Sequence, residues 1–424
     1  MSDIERLVAL MALADVDRGA HSQVALDRAL RPAGEAKGAR ATELFYGVLR
    51  WQGALDAALQ PLLSRRLAAL EPVIRAALRL GAVEILHLGH PPYAVVSEVV
   101  EVAKGVAPRA SGLVNAVLRR LAAGEVTQPS DPLEARSLEE GHPRWLFARW
   151  LQRWGEERTH ALCAWDNTPP DLVVRVNARR GSRTDYLSTH PIADAIAPSG
   201  VPTAVAMPAR PVRSLPGFAE GWVSVMGKAA QLAVLSIPVR PGDRVADVCA
   251  GRGTKTLFLL EREPDLEVVA MDIDASRLAA IAAEAARLGL PSPPTAVGDA
   301  LKPPAELAGA FDTVLLDAPC TGLGTLRRHP EIRWRRMPGD VKEAGRRQAA
   351  LLAAAATLVR PGGRLIYSVC SMEPEETEGV TQGFLSARNG MRPATVPGWD
   401  TASRLFTPDE DACEGFYVMH FTRD

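Results

Sequence analysis

The 424-residue sequence lacks the features of several protein classes. No stretch approaches the roughly 20 consecutive apolar residues that a membrane-spanning helix needs. The N-terminal stretch MSDIERLVALMALADVDRG carries acidic side chains and no cleavable small-residue site, so it is typical of an amphipathic helix and not of a signal peptide. We therefore expect a cytoplasmic protein, and we expect it to be a monomer.

Cysteine is scarce and scattered. The five cysteines occur singly, without CxxC spacing, and the eight histidines do not cluster with them. Such a pattern provides neither a disulfide framework nor a set of metal ligands. We therefore expect no bound metal and free thiols at Cys163, Cys249, Cys320, Cys370 and Cys413.

A strong charge of one sign is also missing, since the formal net charge is −1. The field of the whole protein therefore does not indicate a nucleic-acid binder, and local patches must carry any such hypothesis. Two arginine-rich segments are candidates, Arg175–Arg183 and Arg327–Arg336, and a solvated charged surface is the competing interpretation of both. Trp334 favours RNA contact for the second segment, because an aromatic ring among arginines can stack on an unpaired base.

What the chain does contain is a change of pattern along its length. From Ile4 to about Leu121 apolar residues recur every three or four positions, which predicts an all-helical domain over residues 1–125, with breaks at Gly and Pro positions such as Pro32–Gly38. Residues 126–142 are predicted to be a linker, and the prolines of the looser stretch at residues 124–132 exclude helix there. Residues 143–228 combine a helical start with short strand-like runs, which predicts a small α+β domain.

Residues 229–424 alternate short apolar runs with helical segments. The runs RVADVCAG, LEVVAMD, FDTVLLDAP and GRLIYSVCS are apolar on both faces, as in parallel strands covered by helices. The segments Thr254–Glu261, Ala275–Leu288 and Lys342–Leu358 separate them and have helical periodicity. This alternation predicts a doubly wound α/β fold, in which ligands bind at the carboxyl ends of the strands.

An adenosine-containing ligand is indicated at the ends of the first three strands. Gly251 and Gly253 follow the first strand and allow a tight turn into a helix whose N-terminus favours an anion. Asp272 ends the second strand, where a carboxylate can accept hydrogen bonds from both ribose hydroxyls. Asp299 follows the third strand, near the expected place of an adenine amino group. These features fit either NAD or S-adenosylmethionine.

Two cysteines and an aspartate stand at the ends of the next two strands. Asp317 and Cys320 follow the fourth strand, and Cys370 follows the fifth. Adjacent parallel strands lie about 4.8 Å apart, so these residues are expected to face one pocket, although a cysteine by itself is more often simply buried. A thiolate that adds to carbon-6 of cytosine activates carbon-5 for methylation. A second thiol would then assist release of the carbon-5 proton, and a carboxylate would stabilise the developing charge.

At these motifs the chain resembles the RsmB (Sun/Fmu) family of ribosomal RNA small subunit methyltransferases, which make 5-methylcytosine. The resemblance covers nearly the whole chain. ATELFYGVLRWQGALD and PPYAVVSEVVEVAK resemble the family's NusB-like RNA-binding helical domain, and HPRWL and RVN resemble its middle segment. DVCAGRGTKT, AMDIDASRL, DAPCTGLGTLRRHPEIRW and YSVCSMEPEETEGV follow in the family's order. The implied fold is an all-α NusB-like domain, a small α+β domain and a Rossmann-like class I methyltransferase domain, with S-adenosylmethionine as cofactor and RNA as partner.

The resemblance also implies roles for individual residues. Cys370 would be the nucleophile and Cys320 the thiol that assists release, beside Asp317 as the third catalytic group expected from the chemistry above, while Pro374–Glu376 would open the helix after the nucleophile. The residues expected to bind S-adenosylmethionine are Cys249, Ala250, Gly251, Arg252, Gly253, Thr254, Lys255, Asp272, Arg277, Asp299 and Asp317. The expected RNA contacts are Arg175, Asn177, Arg327 and Arg328.

Other functions stay open as alternatives. A dehydrogenase would share the Gly-rich turn and Asp272, but it gives no reason for two cysteines at strand ends. An amino-group methyltransferase would need an aromatic residue where Cys320 follows Ala318-Pro319. A non-catalytic RNA-binding or ribosome-assembly factor has no use for both thiols and Asp317. A cytosine-5 methyltransferase that acts on another RNA is the remaining alternative.

Overall fold

The computed structural model describes residues 3–32, 38–127, 129–387 and 390–424. Contacts divide the chain into two units, of which the first is Met1–Thr168 with Leu326–Arg336 and the second is Pro169–Thr325 with Met337–Asp424. Most of the predicted break at Pro32–Gly38, and Gln128 in the predicted linker, lie outside the described residues. Each unit has a hydrophobic core of its own.

The helices of the described chain are α1 (Ile4–Asp17), α2 (Ser22–Leu30), α3 (Gly38–Leu59), α4 (Pro72–Leu86), α5 (Pro92–Val106), α6 (Ser111–Ala122), α7 (Pro132–Glu139), α8 (Arg144–Asn167), α9 (Arg183–Thr189), α10 (Lys228–Leu235), α11 (Thr254–Arg262), α12 (Ala275–Leu288), α13 (Glu331–Arg335), α14 (Pro338–Ala356), α15 (Glu378–Ser386) and α16 (Pro408–Asp411). The strands are β1 (Leu172–Val176), β2 (Ala204–Met207), β3 (Val223–Val225), β4 (Arg244–Val248), β5 (Glu267–Asp272), β6 (Thr295–Val297), β7 (Phe311–Asp317), β8 (Val359–Val369), β9 (Met391–Pro393), β10 (Ser403–Phe406) and β11 (Phe416–Arg423).

The first unit is helical, and α1 to α6 build its core. In α3 the residues Leu44, Phe45 and Val48 recur at helical spacing and are fully buried, so one face of this helix packs against α1 and α4. The Asp3 carboxylate caps α1 by accepting hydrogen bonds from the first backbone N–H groups of the helix. The all-helical domain that the sequence predicted is confirmed.

Helix α7 lies within residues 126–142, the segment that was predicted to be a linker, and it begins at the last residue of the proline-containing stretch 124–132. The Asp131 carboxylate caps α7 by accepting a hydrogen bond from the Leu133 N–H (2.8 Å). Pro132 occupies the first helical position, where the missing N–H has no partner inside a helix and its absence costs nothing. Proline therefore begins this helix, while the described residues of 124–131 ahead of it are not helical, as the sequence predicted. The predicted domain boundaries themselves stay predictions.

The segment Leu326–Arg336 packs with the helical unit, although the chain on both sides of it belongs to the second unit. Arg333 is buried and donates a hydrogen bond to the backbone carbonyl of Gly141 (2.7 Å). The indole Nε1 of Trp334 donates a hydrogen bond to the Leu49 carbonyl in α3 (2.7 Å). Part of this arginine-rich segment is therefore internal to the helical unit.

The second unit contains the predicted α/β sheet. The strands run in the order β10-β11-β8-β7-β4-β5-β6, with β9 beside β11. The strands β6, β5, β4, β7 and β8 are parallel, as the strand–helix alternation predicted, whereas β9, β10 and β11 join one edge antiparallel. One core cluster joins the sheet to α10, α11 and α12, and another joins it to α14 and α15. The prediction of a doubly wound fold is confirmed.

A small antiparallel sheet with the order β2-β1-β3 also belongs to the second unit. It packs with α9 around a core that contains Val174, Tyr186 and Val223, which is the α+β arrangement that the sequence predicted. Gly221 has a φ of +76°, and a Cβ at this position would lie 2.1 Å from the carbonyl oxygen of Arg287 in α12. Only glycine therefore permits this close approach of the small sheet to α12.

We predict that Phe45→Ala lowers the free energy of unfolding of the helical unit by about 3–5 kcal/mol, because it leaves a cavity in a fully buried position. Tyr93 is 88% exposed and serves as the matched aromatic control, with an expected change within about 0.5 kcal/mol for Tyr93→Ala. Denaturant unfolding followed by circular dichroism measures both variants. Equal effects of the two substitutions would contradict the assignment of Phe45 to the core.

Candidate active site

The loop after β4 forms the tight turn that the sequence predicted. Cys249 (φ 63°), Gly251 (φ 58°) and Gly253 (φ 75°) all adopt the left-handed region, and Gly253 directly precedes α11. For the non-glycine Cys249 this conformation is uncommon, and such strain is concentrated at functional sites. A Cβ at Gly251 would meet nothing within 4 Å, so the backbone of the loop faces open space that a ligand can enter.

Asp272, at the end of β5, is oriented by this loop. Its Oδ2 accepts a hydrogen bond from the Gly251 N–H (2.8 Å), and its Oδ1 accepts one from the Asp274 N–H (2.9 Å). The next side chain, Ile273, is 66% exposed, and Asp299 after β6 is exposed as well. An exposed apolar side chain beside a strand-end carboxylate suits the flat base and the polar ribose of an adenosine. Sequence analysis overlooked Ile273, whose signal was an apolar residue directly after a strand-end acid.

The remaining residues predicted to bind the cofactor lie on the same loop or beside it. Ala250 donates its N–H to a carbonyl of β5 (2.9 Å), which ties the loop to the sheet. Arg252 and Thr254 are exposed. Arg277 is exposed in the first turn of α12, where its Nε lies 3.4 Å from Oδ2 of Asp274. These positions are compatible with a ligand at the loop, and contact with the cofactor stays a prediction for each of them.

Lys255 in α11 and Asp317 at the end of β7 form an ion pair, with Nζ 2.5 Å from Oδ2. The other carboxylate oxygen, Oδ1, accepts a hydrogen bond from the Ser368 hydroxyl in β8 (2.8 Å). Burial acts to lower the pKa of Lys255, but the charge of Asp317 outweighs burial and raises that pKa above its usual value. Asp317 is therefore held from two sides in one orientation. Sequence analysis overlooked Ser368, which carries no signal until β8 is paired with β7.

Asp247 is an acidic residue of the site to which the sequence analysis assigned no role. It lies next to the last residue of β4 and is buried, and the Thr256 hydroxyl donates a hydrogen bond to its Oδ2 (2.5 Å). Its Oδ1 has no hydrogen-bond partner among the described residues. Burial raises the pKa of Asp247 to about 7. A buried acceptor with a shifted pKa beside the strained Cys249 is typical of a functional site.

Cys320 and Cys370 lie side by side, with their Sγ atoms 2.9 Å apart. Their proximity follows from the parallel pairing of β7 with β8, in which Asp317 is opposite Ser368. The hydrogen bond with Cys370 and burial raise the pKa of Cys320 well above its usual value. The predicted proximity of the two thiols is confirmed, while their separate chemical roles stay predictions.

The helix after Cys370 begins later than the family resemblance implied. Residues Pro374 to Thr377 form turns, and α15 begins at Glu378. The Pro374 carbonyl accepts hydrogen bonds from the N–H groups of Thr377 (3.3 Å) and Gly379 (2.8 Å), which closes the turn ahead of the helix. The prediction that Pro374–Glu376 opens the helix is therefore wrong.

The prediction that Arg175 and Asn177 contact RNA is also wrong, because both side chains are buried inside the second unit. Arg175 Nη2 lies 2.6 Å from Oε1 of Glu261, and its Nη1 donates a hydrogen bond to the Thr254 carbonyl (3.1 Å). Asn177 Nδ2 donates to two backbone carbonyls, each at 2.9 Å, one of them in α12. These residues connect the small sheet to α11 and α12 and cannot grip phosphate from inside the protein.

Arg327 and Arg328 are half-buried within the helical unit. The Arg327 guanidinium lies 4.2 Å from the centroid of the Trp165 ring. Contact of these two arginines with RNA stays a prediction. Trp334 differs, because its N–H is bonded to α3 and its ring lies so close to Gly53 that a Cβ there would be 2.5 Å away. The expectation that Trp334 stacks on an unpaired base is therefore not supported.

The cysteines are free thiols, as predicted. Among the described residues, no group of three or more His, Cys, Asp or Glu side chains could hold a metal ion. No helix in the described part of the chain is long and apolar enough to cross a membrane.

The sheet order, the strained loop after β4 and the strand-end carboxylates fit a nucleotide-cofactor enzyme, and together with the relatives that follow they make the class of protein an S-adenosylmethionine-dependent methyltransferase that acts on RNA. The chain belongs to the 16S rRNA methyltransferase RsmB/F family, whose profile matches residues 234–422. Residues 3–123 match the NusB family. Residues 142–193 match the ferredoxin-like domain of RsmF/B-like methyltransferases.

Individual relatives agree with this assignment. Ribosomal RNA small subunit methyltransferase B of Pseudomonas putida is 35% identical to the chain, with 97% of each chain covered. The protein of the same name from Sodalis glossinidius is 34% identical, covering 90% of this chain and 89% of its own. The solved structure of PH0851 superposes with a TM-score of 0.88 at 25% identity and covers 99% of each chain. The family resemblance and the three-part fold that the sequence predicted are confirmed.

We predict that Arg175→Ala lowers the free energy of unfolding by about 3–5 kcal/mol, because it leaves the buried Glu261 carboxylate without its partner. Arg179 lies exposed in the same arginine-rich segment, and Arg179→Ala should change stability by no more than about 0.5 kcal/mol. Chemical denaturation and RNA binding are measured on both variants. An Arg175→Ala protein that keeps its stability and loses RNA affinity would restore Arg175 as an RNA contact.

Proposed function

We propose that the protein methylates carbon-5 of a cytosine in small-subunit ribosomal RNA through a covalent bond to Cys370. The observation that carries this proposal is the pair of thiols, 2.9 Å apart, at the ends of neighbouring strands that also carry Asp317. A methyltransferase that acts on a nitrogen or an oxygen has no need of two adjacent thiols. The names of the relatives, ribosomal RNA small subunit methyltransferase B, support the choice of RNA.

The residues around the loop after β4 fit S-adenosylmethionine. When bound, this cofactor supplies a methyl group on a positively charged sulfur. The N-terminus of α11 suits the carboxylate of its methionine part, and the Asp272 carboxylate suits the ribose hydroxyls. Ile273 offers an apolar surface for the adenine, and Asp299 offers an acceptor for the adenine amino group.

The thiols and Asp317 account for the two stages of the reaction. The Cys370 thiolate forms a bond to carbon-6, and the electrons of the carbon-5–carbon-6 double bond then make carbon-5 the nucleophile that takes the methyl group. Asp317 binds the ring nitrogen and exocyclic amine and stabilises the charge that develops during addition. The carbon-5 proton then departs to solvent with the assistance of Cys320. The Cys370–carbon-6 bond breaks, and its electrons return to the sulfur.

Grip on the RNA is proposed to come from arginines outside the second unit. Arg119 is exposed on α6 of the helical unit, and Arg327 and Arg328 belong to the same unit. Guanidinium groups bind phosphate oxygens in a fork, which orients RNA without reading its sequence. The ribosomal RNA substrate also implies action in the cytoplasm.

We predict that Asp272→Ala weakens S-adenosylmethionine binding about 10- to 100-fold, because a carboxylate that bonds ribose hydroxyls contributes about 1.5–3 kcal/mol. Isothermal titration calorimetry measures the affinity. Glu267, which is exposed at the amino end of the same strand, is the matched control, and Glu267→Ala should bind the cofactor normally. Unchanged affinity in Asp272→Ala would remove the end of β5 from the cofactor site.

We predict opposite behaviour for the two cysteines. Cys370→Ser should abolish both turnover and the covalent complex, since a hydroxyl is a far poorer nucleophile than a thiolate. Cys320→Ser should still add to cytosine and transfer the methyl group, but slow release should leave RNA attached to protein as a band in denaturing gels. If only Cys370→Ser gives a trapped complex, Cys320 is the nucleophile and Cys370 is the thiol that assists release. Full activity in both variants would reject the covalent mechanism.

A further inference from the structure

We propose that Glu376 is a positioning residue that holds the two cysteine loops in register for the two-stage reaction. The first cysteine loop is Ala318–Gly322, which carries Cys320, and the second is Cys370–Glu373. This inference rests on the proposed covalent function. It adds to that function a buried acid whose side chain is hydrogen-bonded to Thr321, Ser371 and Gln348 and not to either thiol. The side chain of Glu376 has no exposed surface.

One carboxylate joins the residue that follows each cysteine. Oε1 of Glu376 accepts a hydrogen bond from the Thr321 N–H (2.8 Å), and Oε2 accepts one from the Thr321 hydroxyl (2.5 Å). Oε2 also accepts a hydrogen bond from the Ser371 hydroxyl (2.6 Å). Thr321 follows Cys320, and Ser371 follows Cys370. The pairing of β7 with β8 brings the two loops together, and the Glu376 carboxylate then links the residues that follow the two cysteines.

The bridge is itself held in place from α14 and β8. Gln348 Nε2 lies 2.9 Å from Oε1 of Glu376 and 3.0 Å from the Pro319 carbonyl in the first cysteine loop. The Tyr367 hydroxyl lies 2.7 Å from the backbone carbonyl of Glu376. A Cβ at Gly345 would lie 2.1 Å from the Glu375 carbonyl, so the backbone of α14 packs directly against the turn. The carboxylate thus has little freedom to move.

Four neutral donors surround this buried carboxylate, which makes its geometry specific. A buried charge is costly unless its acceptor sites are filled, and hydrogen bonds to a charged acceptor are stronger than those between neutral groups. After the hydrogen bond with Cys370 and burial, the negative charge of Glu376 is a further cause that raises the pKa of Cys320. The same carboxylate therefore orients the Cys320 loop and contributes to the raised pKa of that thiol.

The two loops do not depend on Glu376 equally. Thr321 supplies two of the four hydrogen bonds, from its N–H and its hydroxyl, whereas Ser371 supplies one. Loss of the carboxylate should therefore displace Cys320 more than Cys370. In terms of the proposed reaction, proton release suffers more than addition to carbon-6.

The test uses the full-length protein with Glu376→Gln, which keeps the shape of the side chain but presents an amide N–H₂ to donors. On unmodified small-subunit ribosomal RNA we expect turnover to fall about 10- to 100-fold, as for loss of hydrogen bonds to a charged group. We also expect a covalent protein–RNA band to accumulate, as for Cys320→Ser. The affinity for S-adenosylmethionine should stay within about twofold of wild type, because the carboxylate is not part of the cofactor loop.

Variants of the donors separate positioning from simple loss of stability. Thr321→Val removes the hydroxyl and keeps the N–H, so it should also accumulate the covalent band. Thr321→Ser keeps the hydroxyl and should release the RNA as the wild type does. Ser371→Ala acts on the other loop and should slow addition without accumulating the band. Glu343→Gln, an exposed acid on α14, is the matched control and should behave as wild type.

RNA containing 5-fluorocytosine separates failure of this inference from failure of the proposed function. If the wild-type protein is not captured by this RNA, the covalent function is wrong and the inference falls with it. If the wild type is captured and Glu376→Gln turns over normally, only the inference is overturned. It is likewise overturned if Glu376→Gln and Thr321→Val lose turnover without accumulating the band, since that outcome indicates a merely structural role.

Discussion

The parallel pairing of β7 with β8 is the constraint on which the rest of the active site depends. Because Asp317 is opposite Ser368 in this pair, the loops that follow the two strands emerge side by side. Their thiols then lie 2.9 Å apart, and the Ser368 hydroxyl reaches the Asp317 carboxylate. Parallel strands require a crossover, and α14 provides it while also supplying Gln348 beneath the cysteine loops. A shift of one residue in this register would turn the side chains of one strand to the opposite face of the sheet.

Ion pairs and hydrogen bonds of buried and half-buried polar groups give the site its fixed geometry. Two contacts link α11 to strand ends. The Lys255–Asp317 ion pair joins it to β7, and the Thr256–Asp247 hydrogen bond joins it to β4. Arg175 links the same helix to the small sheet through Glu261. Buried charges persist only when they are paired or fully hydrogen-bonded, so these contacts select one arrangement of strands and helix. The small antiparallel sheet therefore supports α11 through a buried ion pair.

Several parts of the site were predictable because they follow from local pattern. Short runs that are apolar on both faces predicted the parallel strands, and residues at their ends predicted where Asp272, Cys320 and Cys370 would lie. The family motifs extended this prediction to a NusB-like part and a small middle part, and the matches of residues 3–123 to the NusB family and of residues 142–193 to a ferredoxin-like domain bear it out. Other parts were not predictable. The sequence does not distinguish a solvated arginine from a buried one. Arg175 was therefore predicted to contact RNA, because its ion-pair partner Glu261 lies far along the chain and gives no local signal.

What the sequence by itself determined is the class of fold, the family and the positions of the strand ends, since periodicity and short motifs are local properties of the chain. Only the tertiary structure decided which polar residues are internal, where α15 begins and how Glu376 reaches Thr321 and Ser371. The physical reason is that burial and hydrogen bonding depend on neighbours that are distant in sequence. The hydrogen-bond donors of a buried carboxylate are the groups that the packed loops bring near it, and residue spacing in the sequence does not predict which groups these are.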